Sequence, residues 1–130
     1  MVTAQSFTPA PGKARIYVYR PSRFVGAGAR LKVAIDSQFV GKTASGTFLM
    51  VEVDPGSHRV SGLSSESDRG IDIEALPDSC YFFKLWPKMG LVSAQSGIEL
   101  MDPVEGRHEV EKARMVPSMW PGEPVTSSSN

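Results

Sequence analysis

The chain has 130 residues, 41% hydrophobic and 22% charged, which suits one globular domain with a core of its own and excludes a wholly disordered chain. Lys+Arg is 14 and Asp+Glu is 14, so there is no surplus of cations for a whole-domain electrostatic grip on nucleic acid. Cys80 is the single cysteine, which rules out an internal disulfide and a thiolate-rich metal site.

Residues 1–12 are polar and aperiodic and read as a flexible lead-in to a single domain over 13–116. They show no basic stretch followed by an apolar one, so the chain as given carries no secretion signal, although a trimmed chain would look the same. No apolar run approaches the roughly 18 residues that span a bilayer. Residues 14–20 are β-branched and aromatic, a strand with Ile16 and Val18 on one face and Tyr17 and Tyr19 on the other. Pro21 ends it, and a loop follows that carries Arg23, Phe24 and two glycines.

Residues 30–36 alternate cleanly, with Leu31, Val33 and Ile35 on the buried side. Asp36-Ser37 turns into a second strand over 38–44, so the pair reads as a hairpin. Residues 47–53 are almost continuously apolar and suggest a central strand. Asp54-Pro55-Gly56 is the strongest turn signal, because proline presets φ and glycine accepts a positive φ. Residues 57–63 read as the return strand. After a polar loop, 70–76 alternates again, with Ile71 and Ile73 inward and Asp72 and Glu74 outward.

Residues 80–86 form the most aromatic strand, with Tyr81, Phe83 and Leu85 opposite Phe82, Lys84 and Trp86. Pro87 to Gly90 is expected to break it, with a last strand within 91–101 interrupted near Gly97. Asp102-Pro103 then looks like a helix N-cap with proline in the first turn, and Glu105 takes the capping-box position. One short helix over 104–114 fits, weakened by Gly106, and a strand reading for part of this stretch stays open. Residues 117–130 read as a flexible tail, disordered or docked through Met119 and Trp120. Short strands joined by Gly, Pro and Asp turns predict an all-β fold, an antiparallel β-sandwich of about seven or eight strands with one short C-terminal helix.

Several motifs resemble functional ones without their context. Gly41-Lys42-Thr43 ends like a phosphate-binding loop, but Asp36 stands where its first glycine belongs and a strand follows where the cradle needs a helix. Gly26 and Gly28 open a dinucleotide-like pattern that Leu31 breaks. His58 and His108 are far apart, each with no second ligand at metal-site spacing. Asp68, Asp72 and Glu74 lack calcium-loop spacing. No metal or cofactor is therefore expected. Cys80, among aromatics, reads as buried and inert rather than nucleophilic. Exposed aromatics and arginines anchor binding surfaces, so Arg23, Phe24, Trp86 and Met89 are the candidate contact residues. Tyr17 and Tyr19 could stack on a ligand, but packing is the better reading.

Four segments taken in order carry a family likeness. These are Lys13 to Pro21, then Val33-Ala34-Ile35-Asp36 with Val40-Gly41, then Val53-Asp54-Pro55-Gly56-Ser57-His58-Arg59-Val60, then Tyr81-Phe82-Phe83. Over residues 11–115 the chain resembles bacterial domain-of-unknown-function family 2846, and its Asp-Pro-Gly turn also looks like PEGA-type β-domains. The resemblance implies a prealbumin-like or PEGA-like sandwich of the kind found in exported proteins, often lipoproteins, of Gram-negative bacteria. It supplies no catalytic residues. This sequence departs from it in lacking a leader and a lipid-accepting cysteine, and in having Ser37 where glycine would be usual.

The reading that follows is a non-enzymatic binding or scaffolding module of a cell-envelope protein. Its partner would be a protein or a cell-wall component and not nucleic acid. Its location would be periplasmic or outer-membrane anchored if a leader was trimmed, and otherwise cytoplasmic. A glycan- or peptidoglycan-binding module stacking sugars on Tyr17, Tyr19 or Trp86 is the alternative. A small hydrolase using His58 with Asp54 or Asp72 comes third. Edge strands could pair between chains, which leaves room for a homodimer.

Overall fold

The computed structural model describes residues 7–22, 30–63, 68–89, 94–121 and 123–124. In chain order the elements are β1 (Ala14–Tyr19), β2 (Leu31–Ile35), β3 (Gln38–Thr43), β4 (Thr47–Val53), β5 (Gly56–Leu63), β6 (Asp68–Ala75), β7 (Cys80–Met89) and β8 (Ala94–Met101). Helix α1 (Pro103–Lys112) follows, then two short strands, β9 (Arg114–Met115) and β10 (Glu123–Pro124). They form two 5-stranded sheets, ordered β8-β7-β1-β4-β9 and β10-β3-β2-β5-β6. The result is the expected all-β sandwich with a short C-terminal helix.

Period-two alternation divides the apolar side chains between two cores. Ile16 and Val18 of β1 meet Val33, Val60, Leu49 and Phe83 between the sheets. The opposite face of β1 presents Tyr17 and Tyr19, which pack with Phe48, Phe82 and Val110 beneath α1. All six residues of β1 are therefore buried, because sheet covers one face and helix the other. β4 reads as a nearly continuous apolar run for the same reason. It lies beside β1 but is flanked on its far side by the two-residue β9, so the middle strand is β1 and not β4.

Tertiary pairing departs from chain order at the Asp54-Pro55-Gly56 turn. Gly56 has φ 130, as the turn requires, but β5 does not return along β4. β4 pairs with β1 and β9, whereas β5 pairs with β2 and β6 in the opposite sheet. The turn is thus an arch between the layers, and the return strand expected from sequence becomes a crossing strand. Local hairpins do form where Asp36 (φ 53) and Ser37 (φ 64) join β2 to β3, and where β7 meets β8. Pairing is mostly antiparallel, but β1 runs parallel to β7 and β4 parallel to β9.

Pro87 does not break β7, which continues to Met89 with Pro87 opposite Ser96. The β1–β7 ladder stops at Tyr19 opposite Lys84, so Pro87 lies where β7 is paired on one side, and a missing N–H is tolerated there. β8 likewise runs through Gly97 without interruption. Residues 7–12, read from sequence as lead-in, lie along the helix side of the first sheet. Phe7 is 8% exposed, with its ring 5.4 Å from Tyr17 and 5.9 Å from Phe82. At the other end of the chain, Trp120 packs against the inter-sheet core and the Met119 N–H donates to the Val40 carbonyl at 2.8 Å.

Asp102 caps α1 as its sequence predicts, its carboxylate accepting from the Val104 and Glu105 amides at 3.0 and 3.2 Å. Glu105 in the first turn and Lys112 in the last complement the helix dipole. Asp102→Ala is expected to lower stability by about 1 kcal/mol, read as an earlier urea midpoint. An unchanged midpoint would mean that packing alone holds this end of the helix. Gly106, which weakens the helix by propensity, is buried against Phe82, where a Cβ would lie 2.5 Å from the ring's Cγ.

Candidate binding surface

Of the four contact residues expected from sequence, Trp86 is the one whose side chain is described. Arg23 and Phe24 lie outside the described residues, as does the Met89 side chain. The backbone of Met89 pairs with Ala94 at the far end of the β7–β8 hairpin. Phe82, Lys84 and Trp86 alternate along one face of β7, the face that α1 covers at Phe82. Trp86 is half-buried and stands opposite Gly97 of β8. Its indole fills the space a Gly97 side chain would take, since a Cβ there would lie 2.5 Å from Trp86 Cζ2 and Nε1. Gly97, which reads in sequence as an interruption, is the seat of an aromatic ring. Lys84 Nζ lies 5.8 Å from the indole centroid, and Glu99 faces Lys84 across the hairpin. Among the described residues the arrangement is an aromatic surface with the Lys84 ammonium and the Glu99 carboxylate beside it.

Tyr17 and Tyr19 cannot serve as stacking platforms. They are 0% and 1% exposed, beneath α1 and Phe7. Tyr17 stacks on Phe82 at 4.9 Å and 9°, and its hydroxyl accepts from the buried Arg15 guanidinium at 3.1 Å. Arg15 also donates to Glu52 at 2.9 Å, and the same Glu52 oxygen accepts the Ala10 N–H at 3.0 Å. Burial works against the Glu52 charge, but the Ala10 amide and Arg15 outweigh it and hold the carboxyl below its usual range. This ion pair pins the N-terminal segment to the sheet. Arg20, beside the candidate loop, is itself buried and donates to the Thr43 carbonyl at 3.2 Å.

A second polar centre forms around His58, in a shallow groove of about 480 Å³ lined by Asp36, Ser57, His58, Arg59, Asp72, Ile73 and Glu74. Sequence suggested Asp54 or Asp72 as the acid partner of His58, and the fold supplies Asp36 instead. Nδ1 meets Asp36 Oδ2 at 2.6 Å, and Nε2 meets the backbone carbonyl of Asp54 at 2.7 Å. The Asp54 carboxylate turns to Lys13 at 2.5 Å, and Asp72 pairs with Arg59 at 3.2 Å. Both imidazole nitrogens are thus engaged, so the geometry of a histidine base held by either acid does not arise. The Asp36–His58 pairing is illegible in sequence because Asp36 lies on the turn after β2 and His58 in β5, strands that become neighbours only in the folded sheet.

The remaining motifs settle into structural places. Thr43 of the Gly-Lys-Thr sequence lies in β3 and donates to the Leu31 carbonyl at 3.2 Å. Ser57 donates to Glu74 at 2.7 Å. Among the described residues no three His, Cys, Asp or Glu side chains converge as a metal site would require. Burial pushes the Cys80 thiol up from its ordinary value, and its sulfur lies 3.4 Å from the Phe7 carbonyl oxygen. Among the described residues no helix is long and apolar enough to cross a membrane.

The fold and surface define a two-sheet β-sandwich with one helix on an outer face and an aromatic side chain, Trp86, on the β7–β8 hairpin. The chain belongs to the family described as Protein of unknown function (DUF2846), whose profile matches residues 10–98. Helix α1 lies beyond that span. The chain is also similar to an uncharacterized protein of Haemophilus influenzae, 28% identical over 117 residues, covering 89% of this chain and 69% of that protein. No solved structure matches.

Proposed function

We propose that this protein is a non-enzymatic binding or scaffolding module of a bacterial cell-envelope protein, with the β7–β8 hairpin around Trp86 as its contact surface. The observation that carries the reading is the indole seated on Gly97 with Lys84 and Glu99 alongside, an amphipathic aromatic of the kind that anchors interfaces. The resemblance to exported, often lipid-anchored proteins supplies the envelope setting.

Two measurements test the parts separately. Expression from the native full-length reading frame should place acylated protein in the membrane fraction, and unprocessed protein in the cytosol would overturn the envelope setting. Trp86→Ala should abolish photo-crosslinks formed from a probe at position 84, with the fold intact by circular dichroism. Crosslinks of unchanged pattern and yield would remove the hairpin as the contact surface.

A second reading is favoured by the same indole. Flat aromatic faces suit the C–H faces of sugars, so the partner would be a peptidoglycan fragment. In a Trp120→Phe background, Trp86 fluorescence should then respond to muropeptides, and silence at millimolar ligand would exclude this reading.

A further inference from the structure

The His58 ring is held in a way that only one protonation state satisfies. Its two partners, the Asp36 carboxylate at 2.6 Å and the Asp54 carbonyl at 2.7 Å, are both acceptors with no proton to give. The ring must therefore donate from both nitrogens, which requires the imidazolium. The two acceptors sit on separate turns, Asp36 between β2 and β3 and Asp54 on the arch that carries the chain from one sheet to the other. The Asp36 end is preset, because its other oxygen accepts the Arg59 N–H at 2.8 Å and its own N–H donates to the Arg59 carbonyl at 2.8 Å.

We propose that His58 is a pH-sensitive latch that clasps the sheet-crossing Asp54-Pro55-Gly56 arch to the Asp36-Ser37 turn, closed when the ring carries two protons and open when it carries one. On opening, one proton passes to solvent. The remaining N–H stays on Nδ1, where the Asp36 carboxylate makes the stronger, charge-assisted bond. The Nε2 lone pair then faces the Asp54 carbonyl oxygen, two acceptors repel, and the arch is released. The charged groups around the ring are Asp36 and Asp54 themselves, Lys13 on the Asp54 carboxylate, Arg59 held by Asp72, and Glu74 held by Ser57. Lys13 and Arg59 are each matched by a carboxylate, so the balance around the ring is negative, with the Asp36 carboxylate in direct contact with it.

Burial opposes the charge on His58, but the Asp36 carboxylate and the Asp54 carbonyl outweigh it and raise the ring above its ordinary value of 6.5. A raised folded-state value means that the latch contributes its full stability below pH 6.5 and loses it as the pH rises through the folded value. Acid therefore closes the arch and alkali loosens it.

The test is an NMR titration of the full chain, following the imidazole carbons of His58 and the Asp54 carbonyl carbon, with the same chain unfolded in urea as the reference. His58 should titrate higher in the folded chain than in the unfolded one, and the Asp54 carbonyl should shift with the His58 midpoint. Asp36→Asn, which keeps a side chain that accepts positive φ, should move both midpoints down together. The latch is overturned if His58 titrates no higher in the folded chain than in the unfolded one, or if the Asp54 carbonyl ignores the His58 midpoint. If Asp36→Asn fails to fold, the wild-type midpoints alone decide between the outcomes.

Discussion

Phe82→Ala is expected to destabilise the protein by about 3–5 kcal/mol, the range for a large aromatic removed from a packed core. The ring is 2% exposed, stacks on Tyr17 at 4.9 Å, lies 5.9 Å from Phe7, and carries the buried face of α1 at Gly106. Truncation leaves a void that cannot collapse easily, because β1 and β7 are fixed by their ladder and the helix is fixed by its cap. Chemical denaturation followed by far-ultraviolet circular dichroism measures the loss. A change below about 1 kcal/mol would mean that the helix layer does not depend on this ring.

Gly106→Ala sets two effects of opposite sign against each other. Alanine favours a helix interior over glycine by about 1 kcal/mol. Its Cβ, however, would lie 2.5 Å from Phe82 Cγ, and the nearest atoms are the base of the side chain rather than a flexible tip. Either α1 lifts from the sheet or Phe82 is driven into Tyr17. Overpacking of this kind costs about 1–3 kcal/mol, so a net loss of stability is expected although the local helix improves. A gain in the thermal midpoint would show that the helix stands off Phe82 and would contradict the packing described.

What the sequence disclosed follows from physics that acts over a few residues. Alternation in β1 separates Ile16 and Val18 from Tyr17 and Tyr19, and the structure puts them in two different cores. Asp102-Pro103 marks the helix start because capping is local. Alternation says which face is buried, but not what buries it. The apolar run of β4 read as a central strand, whereas the structure puts β1 in the middle and sets Phe48 of β4 in the cluster beneath α1. Pro87 and Gly97 read as breakers because propensity cannot anticipate a ladder that ends at Lys84 or an indole that needs a bare Cα. Trp86 was legible as a candidate anchor by residue type. The Asp36–His58 pair was not, since β2 and β5 become neighbours only once β5 crosses between the layers.

The parallel pairing of β1 with β7 also sets an order on biosynthesis. The second sheet can grow largely from adjacent hairpins, β2 with β3 and β5 with β6, which close early and cheaply. Arg15, by contrast, finds its place beside Cys80 only after most of the domain has been made. β1 leaves the ribosome well before β7 and α1, yet every one of its residues is buried in the finished molecule. Until β7 and α1 arrive, the Tyr17 and Tyr19 face of Ala14–Tyr19 lacks Phe82 and Val110, which help to cover it. Truncations that remove β7 should therefore be far less soluble than those that remove only residues 117–130.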